Sequence, residues 1–83
     1  MTSLKLDRHT ERTMLLRRQI DALARTVGQN ADRLRRAAED AESAAARGST
    51  DAADINIKTA INCARLLRRQ LHELGKLRRK VGA

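Results

Sequence analysis

Two heptad seams that mirror each other constrain this chain more than any other feature. In the first half, Leu16, Ile20, Leu23, Val27, Asn30, Leu34, Ala37, Ala41 and Ala44 follow alternating steps of four and three. In the second half, Ile57, Ala60, Ala64, Leu67, Leu71, Leu74, Arg78 and Val81 follow steps of three and four. This is the spacing of helices that pack at a shallow angle. Between the seams lies Arg47-Gly48-Ser49-Thr50-Asp51. Gly48 suits the left-handed residue just past a helix end, and Ser49 or Thr50 can cap the next amino terminus. Asp51 and Asp54 then fall in the first turn, where the helix dipole favours negative charge. If the chain folds back at Ser49, facing residues have position numbers totalling about 98. Ala41 with Ile57, Leu34 with Ala64, Val27 with Leu71 and Ile20 with Arg78 each total 98, while Leu23 with Leu74 and Leu16 with Val81 each total 97. The register closes along the whole second helix.

The expected fold is therefore an all-α antiparallel helical hairpin forming a single domain over residues 1–83. Its parts are a frayed start at 1–7, a first helix at 8–47, a turn at 48–50 and a second helix at 51–81. Val27-Gly28-Gln29-Asn30 leaves open a break that would give three helices, although a glycine inside a helix costs only ~1 kcal/mol relative to alanine. The composition agrees with helix: no Pro, Phe, Tyr or Trp, with Ala, Leu and Arg abundant. A β-sandwich or barrel needs β-branched and aromatic residues with frequent turns, which are missing. The core is meagre, since 14 of the 34 apolar residues are alanine. Leu15, Ile61, Leu66 and Leu77 lie off the seams and would be wet in a monomer. Self-association into a helical bundle covers some of them, so a homodimer is expected.

Charge separates along this hairpin. Residues 37–64 hold Arg47 and Lys58 against Glu39, Asp40, Glu42, Asp51 and Asp54, for a net −3. The remainder holds 16 basic and 5 acidic residues, for +11, and the two parts make the +8 of the whole chain. Basic residues near a helix carboxyl end also offset its dipole, but that does not account for like charges converging from both helices. Such a surface suits a polyanion. The same arithmetic excludes other chemistry. Without aromatic residues there is no base stacking, cation–π cage or aromatic cofactor box. His9 and His72 are far apart, one cysteine makes neither a disulfide nor a metal cluster, and no Gly-rich phosphate loop is present. The chain reads as non-enzymatic and without a cofactor. Cys63 reads as a small packing residue. A single cysteine fits a reducing, cytoplasmic compartment, and the short apolar runs give no membrane span.

Three local resemblances bear on this reading. Leu16-Arg17-Arg18-Gln19-Ile20-Asp21-Ala22-Leu23 looks like the opening of the helical chorismate mutases, which would make Arg17 a substrate-binding residue. That family's second arginine falls on Leu34 here. Lys58-Thr59-Ala60-Ile61-Asn62-Cys63-Ala64-Arg65-Leu66-Leu67-Arg68-Arg69-Gln70 resembles the first helix of the Rop family of plasmid copy-number regulators. The resemblance implies a homodimeric bundle of two hairpins that binds paired RNA stem-loops through the outer face of this helix, with Asn62 and Gln70 at RNA-contacting positions. Leu66 replaces a Phe of that family, its expected lysines fall on Ile55 and Leu77, and the helix comes second in this chain. Asp32-Arg33-Leu34-Arg35-Arg36, with Arg47-Gly48-Ser49-Thr50 and Asp54-Ile55, is similar to the RNA-binding domain of the influenza non-structural protein. That similarity implies duplex-RNA contacts by Arg33, Arg36 and Arg47.

The function expected from the sequence is nucleic-acid binding, RNA over DNA, by arginines gripping phosphates along helix faces. Its candidate contacts are Arg17, Arg18, Arg33, Arg36, Asn62, Arg65, Arg68, Arg69, Gln70, Lys76, Arg78 and Arg79. The alternative is a non-enzymatic adaptor whose basic end docks an acidic protein, with Leu66 and Leu77 as contact residues. Membrane-surface binding ranks behind both, because the apolar faces are committed to the seams.

Overall fold

A computed structural model of the chain describes the backbone of residues 2–82 and the side chains of residues 8–82. It shows two helices, α1 (Thr2–Ala46) and α2 (Thr50–Gly82), folded against each other as a hairpin. The hairpin is a rod, 71 × 15 × 13 Å along its principal axes. Helix α1 runs without interruption through Gly28, so the chain has two helices and not three. An added Cβ at Gly28 would meet nothing within 4 Å, so no close approach calls for a glycine there. The backbone of α1 extends to Thr2, where a frayed segment was expected, while the side chains of residues 1–7 lie outside the described set.

The turn forms where the sequence places it, by a defined hydrogen-bond pattern. Gly48 adopts φ 78°. Its N–H donates to the Ala45 carbonyl at 3.0 Å, and the Ser49 N–H donates to the Ala44 carbonyl at 2.8 Å. These two bonds satisfy carbonyls that the end of α1 leaves without partners. The Ser49 carbonyl then accepts from the Ala53 N–H at 3.0 Å and starts α2. Asp51 occupies the first turn of α2, and Arg79 and Lys80 the last, each of the sign that the dipole favours.

Every seam position expected on α1 faces α2: Ala37, Ala41, Ala44 and Asn30 are buried, and Leu16, Ile20, Leu23, Val27 and Leu34 are half-buried. Helix α2 is rotated from expectation. Its inward row is Ala53, Asn56, Ala60, Cys63, Leu67, Gln70, Leu74, Leu77 and Val81, again in steps of three and four. Ile57, Leu71 and Arg78, expected on the seam, are exposed. Leu77, expected off it, is half-buried. Helical periodicity shows that a stripe is buried; Leu67 and Leu74 are buried at its centre, whereas Ile57 and Leu71 lie beside it and stay exposed. One hydrogen bond records the register across the hairpin: the Asn30 side-chain amide donates to the Gln70 side-chain carbonyl at 3.0 Å. Asn30 is buried, and this bond satisfies its amide in an otherwise apolar row. At the open end Leu16 and Val81 line one cleft, the pairing expected from their positions.

Candidate nucleic-acid interface

The rotation of α2 decides which of its residues face outward. Opposite the seam lie Lys58, Asn62, Arg65, Arg69, His72, Lys76 and Arg79, at alternating steps of four and three and all exposed. This stripe contains no acid and no large apolar residue. At the helical rise it is roughly 31 Å long. Five of its members, Asn62, Arg65, Arg69, Lys76 and Arg79, are among the contacts expected from sequence. Lys58 and His72 were missed. Their signal was the same spacing, which shows only once the inward row is known.

The outward side of α1 is different. There Arg18, Arg25 and Arg36 alternate with Glu11, Leu15, Ala22, Asp32 and Glu39. Asp32 accepts from Arg35 at 2.7 Å and pairs with Arg36 at 2.9 Å, and Glu39 reaches Arg35 at 3.5 Å. The hydrogen bond from Arg35, helped by the charges of Arg36 and Arg35, holds the Asp32 carboxyl below its ordinary range and raises the Arg35 guanidinium. Arg36 is therefore partly neutralised where it stands. Lys58 and Lys76 are paired as well, with Asp54 at 3.0 Å and Glu73 at 3.5 Å. These pairs are solvent-exposed and weak, so they do not prevent exchange for a phosphate. Among the described residues, Arg17, Arg18, Arg33, Arg65, Arg68, Arg69, Arg78 and Arg79 make no ion pair, and all are exposed.

The twelve expected contacts thus separate by place. Asn62, Arg65, Arg69, Lys76 and Arg79 share the outer stripe of α2, and Arg18 and Arg36 lie on the outer side of α1. Arg17, Arg68 and Arg78 fall along one flank of the hairpin, and Arg33 on the other. Gln70 is a correction: its amide turns into the seam, half-buried, and is occupied by Asn30. The adaptor reading loses Leu77 to the seam in the same way and keeps only Leu66, which is exposed.

Among the described residues no group of three or more His, Cys, Asp or Glu side chains could hold a metal ion. No described helix is long and apolar enough to cross a membrane. Cys63 is a half-buried free thiol in the inward row of α2. Comparison of the chain with protein families, with characterised proteins and with solved structures gives no match.

Proposed function

We propose that the chain binds nucleic acid, structured or double-stranded RNA in preference to DNA, along the outer stripe of α2. The observation that supports this reading is the stripe itself: exposed, acid-free and aligned over roughly 31 Å, about one turn of a duplex. Its side chains supply what phosphates need. Arginine presents a rigid fork that grips two phosphate oxygens at once, and lysine adds a point charge. Asn62, one helical turn from Lys58 in the stripe, adds a neutral donor and acceptor. The chain has no aromatic residue on which a splayed base could stack. Recognition then rests on backbone and groove shape, the mode by which double-stranded RNA is read. No step of this function requires chemistry on the ligand.

The test is a gel-shift series with duplex RNA, duplex DNA and single strands at several salt concentrations. Affinity for the duplex falls steeply between low and moderate salt, through release of condensed counterions. Replacing Arg65 and Arg69 with Ala lowers the magnitude of the logarithmic salt slope by about 1 for each phosphate no longer neutralised. Replacing Arg18 and Arg36 instead has the smaller effect. The reading fails if no duplex is retarded at low salt, or if retardation ignores salt. A protein partner captured equally well after nuclease treatment would point to the adaptor function.

A further inference from the structure

Both helices carry an apolar row that the hairpin leaves uncovered, and the two rows lie side by side. On α1 the row four residues beyond Ile20, Val27, Leu34 and Ala41 is Ala24, Ala31, Ala38 and Ala45, all exposed. On α2 the row four beyond Ala53, Ala60 and Leu67 is Ile57, half-buried Ala64 and Leu71, with Ile61 and Arg68 next to it. Arg78 ends this row toward the open end, as Arg17 ends the row of α1. Ile57, Ile61 and Leu71 are 48%, 45% and 54% exposed. Two antiparallel right-handed helices put corresponding rows on the same broad side of the pair. The other broad side agrees with this geometry, because Arg12 and Lys80, from the two opposite rows, line a single cleft there. That second side is polar, with Thr26, Arg33 and Asp40 facing Thr59 and Glu73.

The displaced seam of α2 has the same origin. The seam expected from the sequence is centred about 40° from the row that meets α1, since neighbouring residues are spaced at about 100° around a helix. Leu67, Leu74 and Val81 belong to both, while Ile57 and Leu71 lie toward the uncovered side. A helix with one neighbour needs a single narrow stripe. At the corner of a four-helix bundle a helix meets two neighbours, and its apolar arc is centred between them. In α2 the apolar residues extend from the row that meets α1, through Leu71, Ile57 and Ile61, onto the uncovered side.

We infer that a second copy of this chain covers that side, with the two turns at opposite ends of the dimer. Charge sets the orientation. The turn-proximal part of each hairpin is net −3 and the rest +11. Opposed turns lay the acidic part of each copy along the cationic part of its partner, whereas turns at the same end would bring the two cationic ends together. Size is consistent with a stable dimer. From Ala24 to Ala45 the apolar side is roughly 32 Å long and about two helices, or 20 Å, wide, of the same order as the ~800 Å² per partner of a standard interface. The outer stripe of α2 stays open in this dimer, so the inference stands apart from the nucleic-acid reading.

Sedimentation of the full chain tests the face. The expected species is twice the 9.3 kDa chain mass. Joint replacement of Ile57 and Leu71 with Gln weakens association about tenfold or more. Both positions are exposed and Gln is a good helix former, so helicity by circular dichroism is retained. Ile61→Gln, a milder change, weakens association to a lesser degree. Leu66→Gln, on the polar side, leaves the dimer intact. Orientation is read from spin labels on Ser49→Cys in a Cys63→Ala background. Opposed turns place the labels about 40 Å apart, counting helical rise from the centre of the face; adjacent turns place them within about 20 Å. A monomer at tens of micromolar, or a dimer indifferent to Ile57 and Leu71, overturns the face and leaves it to another partner. The short label distance overturns the orientation. Both outcomes leave the stripe's gel shift, and so the nucleic-acid reading, to be judged separately.

Discussion

The two ends of the hairpin solve the same packing problem in different ways. Near the turn the core is alanine: Ala37, Ala41, Ala44 and Ala53 are 0–8% exposed. Toward the open end it is built from Leu, Ile and Val, of which only Leu67 and Leu74 are buried, while Leu16, Ile20, Leu23 and Val27 are half-buried. A short side chain is enclosed once two helices come close, and interaxial distance follows the side chains at the contact. A larger side chain holds the helices apart and needs atoms from a third or fourth element to enclose it. Charge follows the same division, acidic near the turn and cationic beyond it. Close packing therefore belongs to the end that holds only Lys58 and Asn62 of the proposed stripe, and the end with most of its cations is the loosely enclosed one.

The contrast breaks most sharply at Ala44, which is fully buried. Ala44→Leu forces the helices apart beside a turn that cannot yield, and costs about 1–3 kcal/mol or more. Val27→Leu, a smaller enlargement at a half-buried position, costs well under about 1 kcal/mol because space is available beside it. Thermal unfolding separates the two, since 1 kcal/mol corresponds to about 4–8 °C in a domain of this size. Equal losses would mean that both ends are equally tight. A smaller effect comes from the polar pair between the two regions. Asn30→Ala removes the donor to a Gln70 that can still turn toward water, and costs about 1 kcal/mol. Changing both residues to Leu restores or raises stability, at the expense of a uniquely defined register; amide exchange in the seam would show the loosening.

The smallest effect is electrostatic. Asp32 lies below the ordinary carboxylate range chiefly through its hydrogen bond from Arg35. A carboxyl lowered on folding contributes stability above its unfolded pKa and loses that contribution as pH falls through its folded value. An NMR titration places the Asp32 midpoint below that of an ordinary aspartate, and Arg35→Ala moves it upward. The accompanying change in unfolding temperature is near the limit of detection, because the pair is solvent-exposed.

Much of this was legible from residue order, and the reasons are local. The heptad steps of α1, the absence of proline and the Gly48-Ser49 pair specify two helices and the place where they meet. Each depends on interactions within a turn or two of helix. The α1 seam was legible to its last residue because from Leu16 onward its large apolar residues all lie on one row pair. The α2 seam was not. Ile57 and Leu71 lie on the row beside the contact, and the contact itself alternates Leu67 and Leu74 with the smaller Ala53, Cys63 and Gln70. The error then passed to the candidate site. With the inward row displaced, the alignment of Arg65, Arg69, His72, Lys76 and Arg79 was hidden; Gln70 entered as a contact through the likeness to the Rop family's first helix.

The amino-acid order by itself determined a helical hairpin, its turn, its approximate register and a division of charge between its two ends. Each follows from periodicity, from the conformational freedom of one glycine, or from counting ionisable groups. Only the tertiary structure decided the rotation of α2 about its own axis. Two adjacent apolar rows compete to face α1, and periodicity weighs them alike. The choice goes to the row whose side chains fit against Ala37, Ala41, Leu34 and Asn30, with a hydrogen bond from Asn30 to Gln70. That rotation, and not the composition, sets which arginines of α2 share one outward line.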